Sequence, residues 1–308
     1  MGNGLYFGID VGGTAVKMSL YSSKEDSMVE YCSIPSIKNE NENILIGNIV
    51  KKMKEMSAEA GVSISEVSGI GIGIPGPVTA DGKVLKCANL GWDIVDLTTI
   101  IKELTGVENV EAGNDANVAA LGEIWKGAAA GYKDAVMVTL GTGVGGGIVI
   151  DGHIRAGHRG AAGEIGHITV EPEESEACGC GCRGCLEQYA SATGIVDIAQ
   201  KRFGICKENL TAKDIFDAAK AGDEKALKTV DIFAAYLGTA LSNIANVIAP
   251  EIFIIGGGVS AAGNIIIEKV MEYYEKNSMY ALRDIPARLA KLGNMAGMYG
   301  AIKMVIDR

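Results

Sequence analysis

The chain lacks several things, and each absence removes a class of function. Basic residues are outnumbered: 28 Lys and Arg face 38 Asp and Glu in 308 residues, a net charge of −10. Nucleic acid needs a basic footprint for its phosphates, so no nucleic-acid partner is expected. No apolar run approaches the roughly 20 residues that cross a membrane. The longest apolar helix expected, about residues 227–249, carries Lys228, Asp231, Asn243 and Asn246. No basic leader precedes the first apolar run, which spans 5–11 and is broken by Asp10. The expected compartment is the cytoplasm, with no membrane partner. Proline is scarce, 6 residues against 42 glycines. No Gly-Lys-Ser/Thr follows a glycine run, so a Walker phosphate loop is excluded.

The glycines mark sharp turns rather than a linker, because they sit at the ends of apolar runs. Strands are predicted over 5–10 and 15–21, joined by Val11-Gly12-Gly13-Thr14. A helix is predicted over 42–61, with Leu45, Ile49, Met53, Met56 and Ala60 on one face. A buried strand over 67–74, a helix over 97–105 and a helix opening at Asn114-Asp115 follow. The second half repeats the plan: a strand over 135–140, a glycine turn over 141–147, a strand over 148–150, and a strand over 251–255 that ends in Gly256-Gly257-Gly258. The echo predicts two α/β domains of related design with a cleft between them, and a final helix in 293–308 that returns to the first domain.

Three segments, 71–76, 141–146 and 256–261, satisfy a G-x-G-x-x-G/A string. The first runs into Pro75-Gly76-Pro77 and the second into a strand. Only the third follows a strand and opens a helix, and no acid-tipped strand follows it, so a dinucleotide fold is the poorer reading. Hairpin turns that aim several backbone N–H groups at a phosphate fit better, since side chains there would block its approach. Asp10 can hold Mg²⁺ through water, and Thr14 and Thr142 supply hydroxyls.

Seven cysteines divide into scattered Cys32, Cys87 and Cys206 and a cluster of Cys178, Cys180, Cys182 and Cys185. In a reducing compartment the cluster reads as a metal site rather than a disulfide framework. Asp115, taken alone, reads as a helix N-cap.

In combination these segments resemble a known family. Asp10-Val-Gly-Gly-Thr14 with Lys17, then Gly141-Thr-Gly-Val-Gly-Gly146, then Gly256-Gly-Gly-Val259 are similar to the phosphate and adenosine motifs of the actin-like ATPases. Asn114-Asp-Ala-Asn117, Gly163-Glu-Ile-Gly-His167 and Cys178-Gly-Cys-Gly-Cys-Arg-Gly-Cys185-Leu-Glu187 resemble one branch, the ROK sugar kinases and repressors, and within it the bacterial glucokinases. The family motif carries three cysteines, which align on Cys178, Cys180 and Cys185; Cys182 is extra.

The resemblance implies a two-domain actin-like ATPase (ribonuclease H-like) fold, with an N-terminal domain over 1–117, a larger domain over 118–292, and an interdomain cleft. It implies an ATP- and Mg²⁺-dependent hexose kinase in which Asp115 accepts the proton of the attacking hydroxyl. Asn89, Asn114, Glu164, His167 and Glu187 would contact the sugar. Asp10, Gly12, Gly13, Thr14, Lys17, Gly141, Thr142, Gly143, Gly256, Gly257 and Gly258 would contact the nucleotide. His167 with Cys178, Cys180 and Cys185 would hold a structural Zn²⁺. Glucose is the favoured substrate, with N-acetylmannosamine, N-acetylglucosamine, fructose and allose as alternatives, and polyphosphate as an alternative donor. A reading of another class is a non-catalytic sugar-sensing regulator. Repressors of the family carry a helix-turn-helix segment, for which a first strand at Leu5 leaves no room. A homodimer is expected on the resemblance.

Overall fold

The computed structural model describes residues 4–37, 41–87 and 90–308. In chain order its elements are β1 (Leu5–Val11), β2 (Ala15–Ser22), β3 (Ser27–Pro35), α1 (Glu42–Glu59), β4 (Gly69–Ile74), β5 (Lys83–Val84), β6 (Val95–Asp96), α2 (Leu97–Thr105), β7 (Val110–Asn114) and α3 (Asp115–Lys126). Then come β8 (Ala135–Leu140), β9 (Val144–Ile150), β10 (His153–Ile154), α4 (Glu187–Ala190), α5 (Ala192–Phe203), α6 (Ala212–Lys220), α7 (Glu224–Ile248), β11 (Ile252–Gly256), α8 (Asn264–Asn277), β12 (Ala287–Leu289) and α9 (Ala296–Ile306). The chain forms two compact units. One comprises Met1–Gly131, Gly147–Gly163 and Asn294–Arg308; the other comprises Tyr132–Gly146 and Glu164–Gly293. Helix α3 therefore runs unbroken through residue 117, where the sequence suggested a boundary.

The first unit is built on a sheet of order β3-β2-β1-β4-β7. β1, β4 and β7 are parallel, with Asp10 opposite Gly73 and Gly73 opposite Gly113. The carboxyl ends of these strands thus lie along one edge, the end at which open α/β sheets place ligands. Helix α1 buries Leu45, Ile49, Met53 and Met56 as its periodicity predicts, while Ala60 is its exposed C-cap. Helix α9 packs on α3, β1 and β4. Close approach here rests on glycine: a Cβ on Gly300 or Gly122 would run into the backbone of the facing helix, and one on Gly71 into Ala301.

The second unit repeats the layout, in a sheet of order β10-β9-β8-β11-β12. In each sheet the third, second, first, fourth and fifth strands of the set follow one another. The outer end of β9, from Gly147, and β10 belong to the first unit. The glycine turn predicted over 141–147 is shorter than expected, because β9 already begins at Val144. Gly147 is a strand residue that lacks a side chain because α3 lies against it: a Cβ would meet Ala116, Asn117 and Ala120. The third glycine string opens a short 3-10 turn, Gly258–Ala262, and α8 starts only after Gly263. By length and composition alone α7 could cross a membrane. Its Phe233, Leu237 and Leu241 are fully buried and it packs on α5, α6 and α8, so it serves as a core helix.

Candidate active site

In the first unit, β1 delivers Asp10 to the Gly12-Gly13-Thr14 turn, which closes with Gly12 N–H donating to the Ala15 carbonyl at 2.9 Å. Cross-strand pairing sets Lys17 opposite Asp10, with Nζ 3.6 Å from Oδ2. The same ammonium donates to Asn294 Oδ1 at 3.1 Å. Asp10 also lies against α9, where a Cβ on Gly297 would strike its carboxyl group. Burial pushes the Asp10 carboxyl above the usual carboxylate range, and Lys17 only partly opposes this. A half-buried acid beside a glycine turn suits a hydrated divalent cation, which would return it to the charged form.

At the neighbouring strand ends, β7 passes directly into α3. The N-cap is Asn114, not Asp115. Asn114 Oδ1 accepts from Ala116 N–H at 3.0 Å and Asn117 N–H at 3.1 Å, while Nδ2 donates to the Gly76 carbonyl at 3.1 Å. Asn114 therefore fixes the helix start and ties it to the turn after β4. Asp115 occupies the first helical position, its Oδ1 accepting from Ala116 N–H at 2.9 Å. There the helix dipole favours the carboxylate. Gly113 stands two strands from Asp10, about 10 Å at ordinary strand spacing. Asn117, to which the sequence assigned no role, is buried. Its Oδ1 accepts from Ile148 N–H at 3.0 Å and its Nδ2 donates to the Ala162 carbonyl at 3.4 Å.

In the second unit the turn at 141–143 closes with Gly141 N–H donating to the Gly143 carbonyl at 2.9 Å. Gly257 adopts φ +82°, where a Cβ would strike the Leu140 backbone. A cavity of about 420 Å³ opens beside these glycines, lined among others by Gly141, Thr142, Phe216, Gly258 and Val259. It has the size and partly apolar wall that a nucleoside requires. Glu164 is exposed at the head of a 3-10 turn, Ile165–His167, and Gly166 of that turn abuts Val144 at the start of β9.

His167, Cys178, Cys180 and Cys185 bring their ligand atoms within 4.8 Å of one another. Cys178 Sγ is 3.8 Å from His167 Nδ1, and the sulfurs of Cys180 and Cys185 are 3.7 Å apart. Zn–S bonds of about 2.3 Å in a tetrahedron place two sulfurs about 3.8 Å apart, so this donor set fits Zn²⁺. The thiols are unequal: the Cys182 N–H draws Cys180 below the usual thiol range, while burial pushes Cys185 up to about 12. Cys182 is exposed and lies outside the four-ligand set. Its carbonyl accepts from Cys178 N–H at 2.7 Å and closes the loop. Glu187 borders the cluster, with Oε1 3.8 Å from Cys178 Sγ, and its Oε2 accepts from Val144 N–H at 2.9 Å.

The expected residues thus fall into two sets. Asp10, Gly12, Gly13, Thr14, Lys17, Asn114 and Asp115 gather in the first unit. Gly141, Thr142, Gly143, Glu164, His167, Glu187, Gly256, Gly257, Gly258 and the cysteines gather in the second. Asn89 lies outside the described residues.

Residues 6–308 match the ROK family. The chain belongs to the ROK family. A curated relative, the glucokinase of Halalkalibacterium halodurans, is 43% identical over 308 residues, covering 96% of this chain and 93% of that protein. A ROK hexokinase from Thermus thermophilus has the same fold, with a TM-score of 0.84, 30% identity and coverage of 99% and 100%. A ROK family glucokinase from Streptomyces griseus, solved in complex with glucose and AMPPNP, matches with a TM-score of 0.77, 30% identity and coverage of 99% and 100%. The fold is that of the actin-like ATPase sugar kinases.

Proposed function

We propose that the protein is an ATP-dependent hexose kinase with glucose as its favoured substrate and the 6-hydroxyl as acceptor. One observation carries the reading: the Asn114 cap holds the Asp115 carboxylate at the carboxyl edge of the sheet that bears Asp10. Full-length likeness to a glucokinase supports the choice of sugar. Asp115 accepts the proton of the sugar hydroxyl as its oxygen bonds to the γ-phosphorus of ATP. The bond from that phosphorus to the β,γ-bridging oxygen breaks, and ADP leaves. Bound Mg²⁺ would neutralise phosphate charge, and Asp10 would hold it through water. The glycine turn at 141–143 and the cavity beside Gly258 would take the phosphates and the nucleoside. Glu164, His167 and Glu187 would accept hydrogen bonds from the sugar, and Asn114 would orient it by fixing the backbone at the start of α3. Zn²⁺ on His167, Cys178, Cys180 and Cys185 would be structural, since four protein ligands leave no open position. Seven cysteines, none in a disulfide, suit a reducing cytoplasm.

The test is ADP release from Mg²⁺-ATP with glucose, N-acetylmannosamine, N-acetylglucosamine and fructose offered separately. Glucose-dependent release that Asp115→Asn removes is the expected result. Preference for an acetamido sugar would keep the mechanism and replace the substrate. Folded, zinc-replete protein that releases ADP with none of the four would overturn the reading.

A further inference from the structure

The segment that leaves the cysteine cluster does more than border it. From Cys185 the chain enters α4, reaches the Ser191 N-cap and begins α5. Within these few residues three bonds reach back to the glycine turn. Glu187 Oε2 accepts from Val144 N–H at 2.9 Å. Ala192 N–H donates to the Gly141 carbonyl at 2.8 Å. Thr193 Oγ1 donates to the Thr142 carbonyl at 3.3 Å. Gly143 leaves the room that the carboxylate occupies, because a Cβ there would overlap Glu187 Oε2. The segment is itself tied to the cluster: Cys185 N–H donates to Gln188 Oε1 at 3.0 Å, and Glu187 Oε1 lies 3.8 Å from Cys178 Sγ.

A glycine turn has wide conformational freedom, yet a phosphate cradle needs its N–H groups fixed on one point. One internal bond, from Gly141 N–H to the Gly143 carbonyl, closes the turn, and the three bonds from outside fix the peptides it leaves free. We infer that Glu187 and Thr193 are positioning residues that set the shape of the turn at 141–144, so that nucleotide affinity depends on the metal-binding cluster. This rests on the kinase reading above and adds a coupling to it. Glu187, which the proposed function assigns to the sugar, also reaches the nucleotide turn through Oε2, which accepts from Val144 N–H. Thr193 was assigned to neither substrate.

The test is calorimetric titration of ADP into the full-length, zinc-replete protein without sugar. Glu187→Ala and Thr193→Val should each weaken ADP binding about five- to tenfold, the effect of one lost hydrogen bond. Glu187→Gln retains an acceptor oxygen and Thr193→Ser a hydroxyl, so both should recover most of the affinity. Thr193→Val should also raise KM for ATP and leave KM for the sugar unchanged, which general loosening of the fold would not do. Chelation that removes zinc, with the fold checked by circular dichroism, should weaken ADP binding in the parent and have little further effect in Glu187→Ala. Parental ADP affinity in both Glu187→Ala and Thr193→Val would overturn the inference and leave the kinase reading standing. A parent protein that binds no ADP would overturn both.

Discussion

Asp115 and Asp10 are both carboxylates at strand ends, but substitution should separate them. Asp115→Asn keeps the Asn114 cap and the size of the side chain, so the fold should hold. Loss of the proposed base should lower kcat about 10²- to 10⁴-fold with little change in either KM, as read by ADP release. Asp10 is held partly out of water, and its folded-state pKa lies above the unfolded one. Such a group binds its proton more readily when folded. It contributes stability below the unfolded pKa, and that contribution is lost as pH rises through the folded value. At pH 7 the charged form is therefore a cost. Asp10→Asn should melt at or above the parental temperature by calorimetry while activity falls about a hundredfold or more. A clearly lower melting temperature would mean that the contact with Lys17 outweighs burial. At this scale the sequence disclosed residues whose motif neighbours are adjacent in the chain, such as Asn114 beside Asp115. It gave no hint of Asn294 holding Lys17 or of Thr193 holding the turn, because those partners are 277 and 51 residues apart.

Among the elements, α9 approaches its neighbours closely enough that glycine is required at the contacts. Gly300 faces the Val118 carbonyl and the start of Gly122. Alanine would gain at most about 1 kcal/mol of helix propensity there. Pushing a methyl group into facing backbone costs about 1–3 kcal/mol, so the clash should win. Gly300→Ala is expected to lower the urea midpoint with an unchanged slope. Helices α1, α2 and α3 and strand β8 were legible because apolar spacing and caps agree locally. Strand β3 was missed: its burial alternates, but at this sheet edge apolar Val29 and Tyr31 take the exposed face and Glu30 the more covered one, so the sequence shows no apolar-polar alternation. The glycines of β9 read as turn because the helix that excludes their side chains comes from another part of the chain.

For the whole molecule, the two matching sheet orders justify reading an internal echo from turn placement, although the repeats share little sequence. The cysteine cluster was legible from spacing; which thiol stands apart required three-dimensional distances. Mass spectrometry under native conditions should find one zinc per chain in the parent and in Cys182→Ser. Cys185→Ser should lose the metal and melt earlier if its buried thiol is a ligand as proposed, while Cys182 lies outside the four-residue set.

The position of α9 in the chain has a consequence for synthesis. The sheet that carries Asp10 lacks one of its packing partners until α9 leaves the ribosome, after every element of the second unit has been made. Domains generally fold as they emerge, so the second unit can fold while the first waits with the α9-facing side of β1 and β4 uncovered. A nascent chain stalled before Asn294 should therefore recruit chaperones through its earliest strands, even though those strands were translated first.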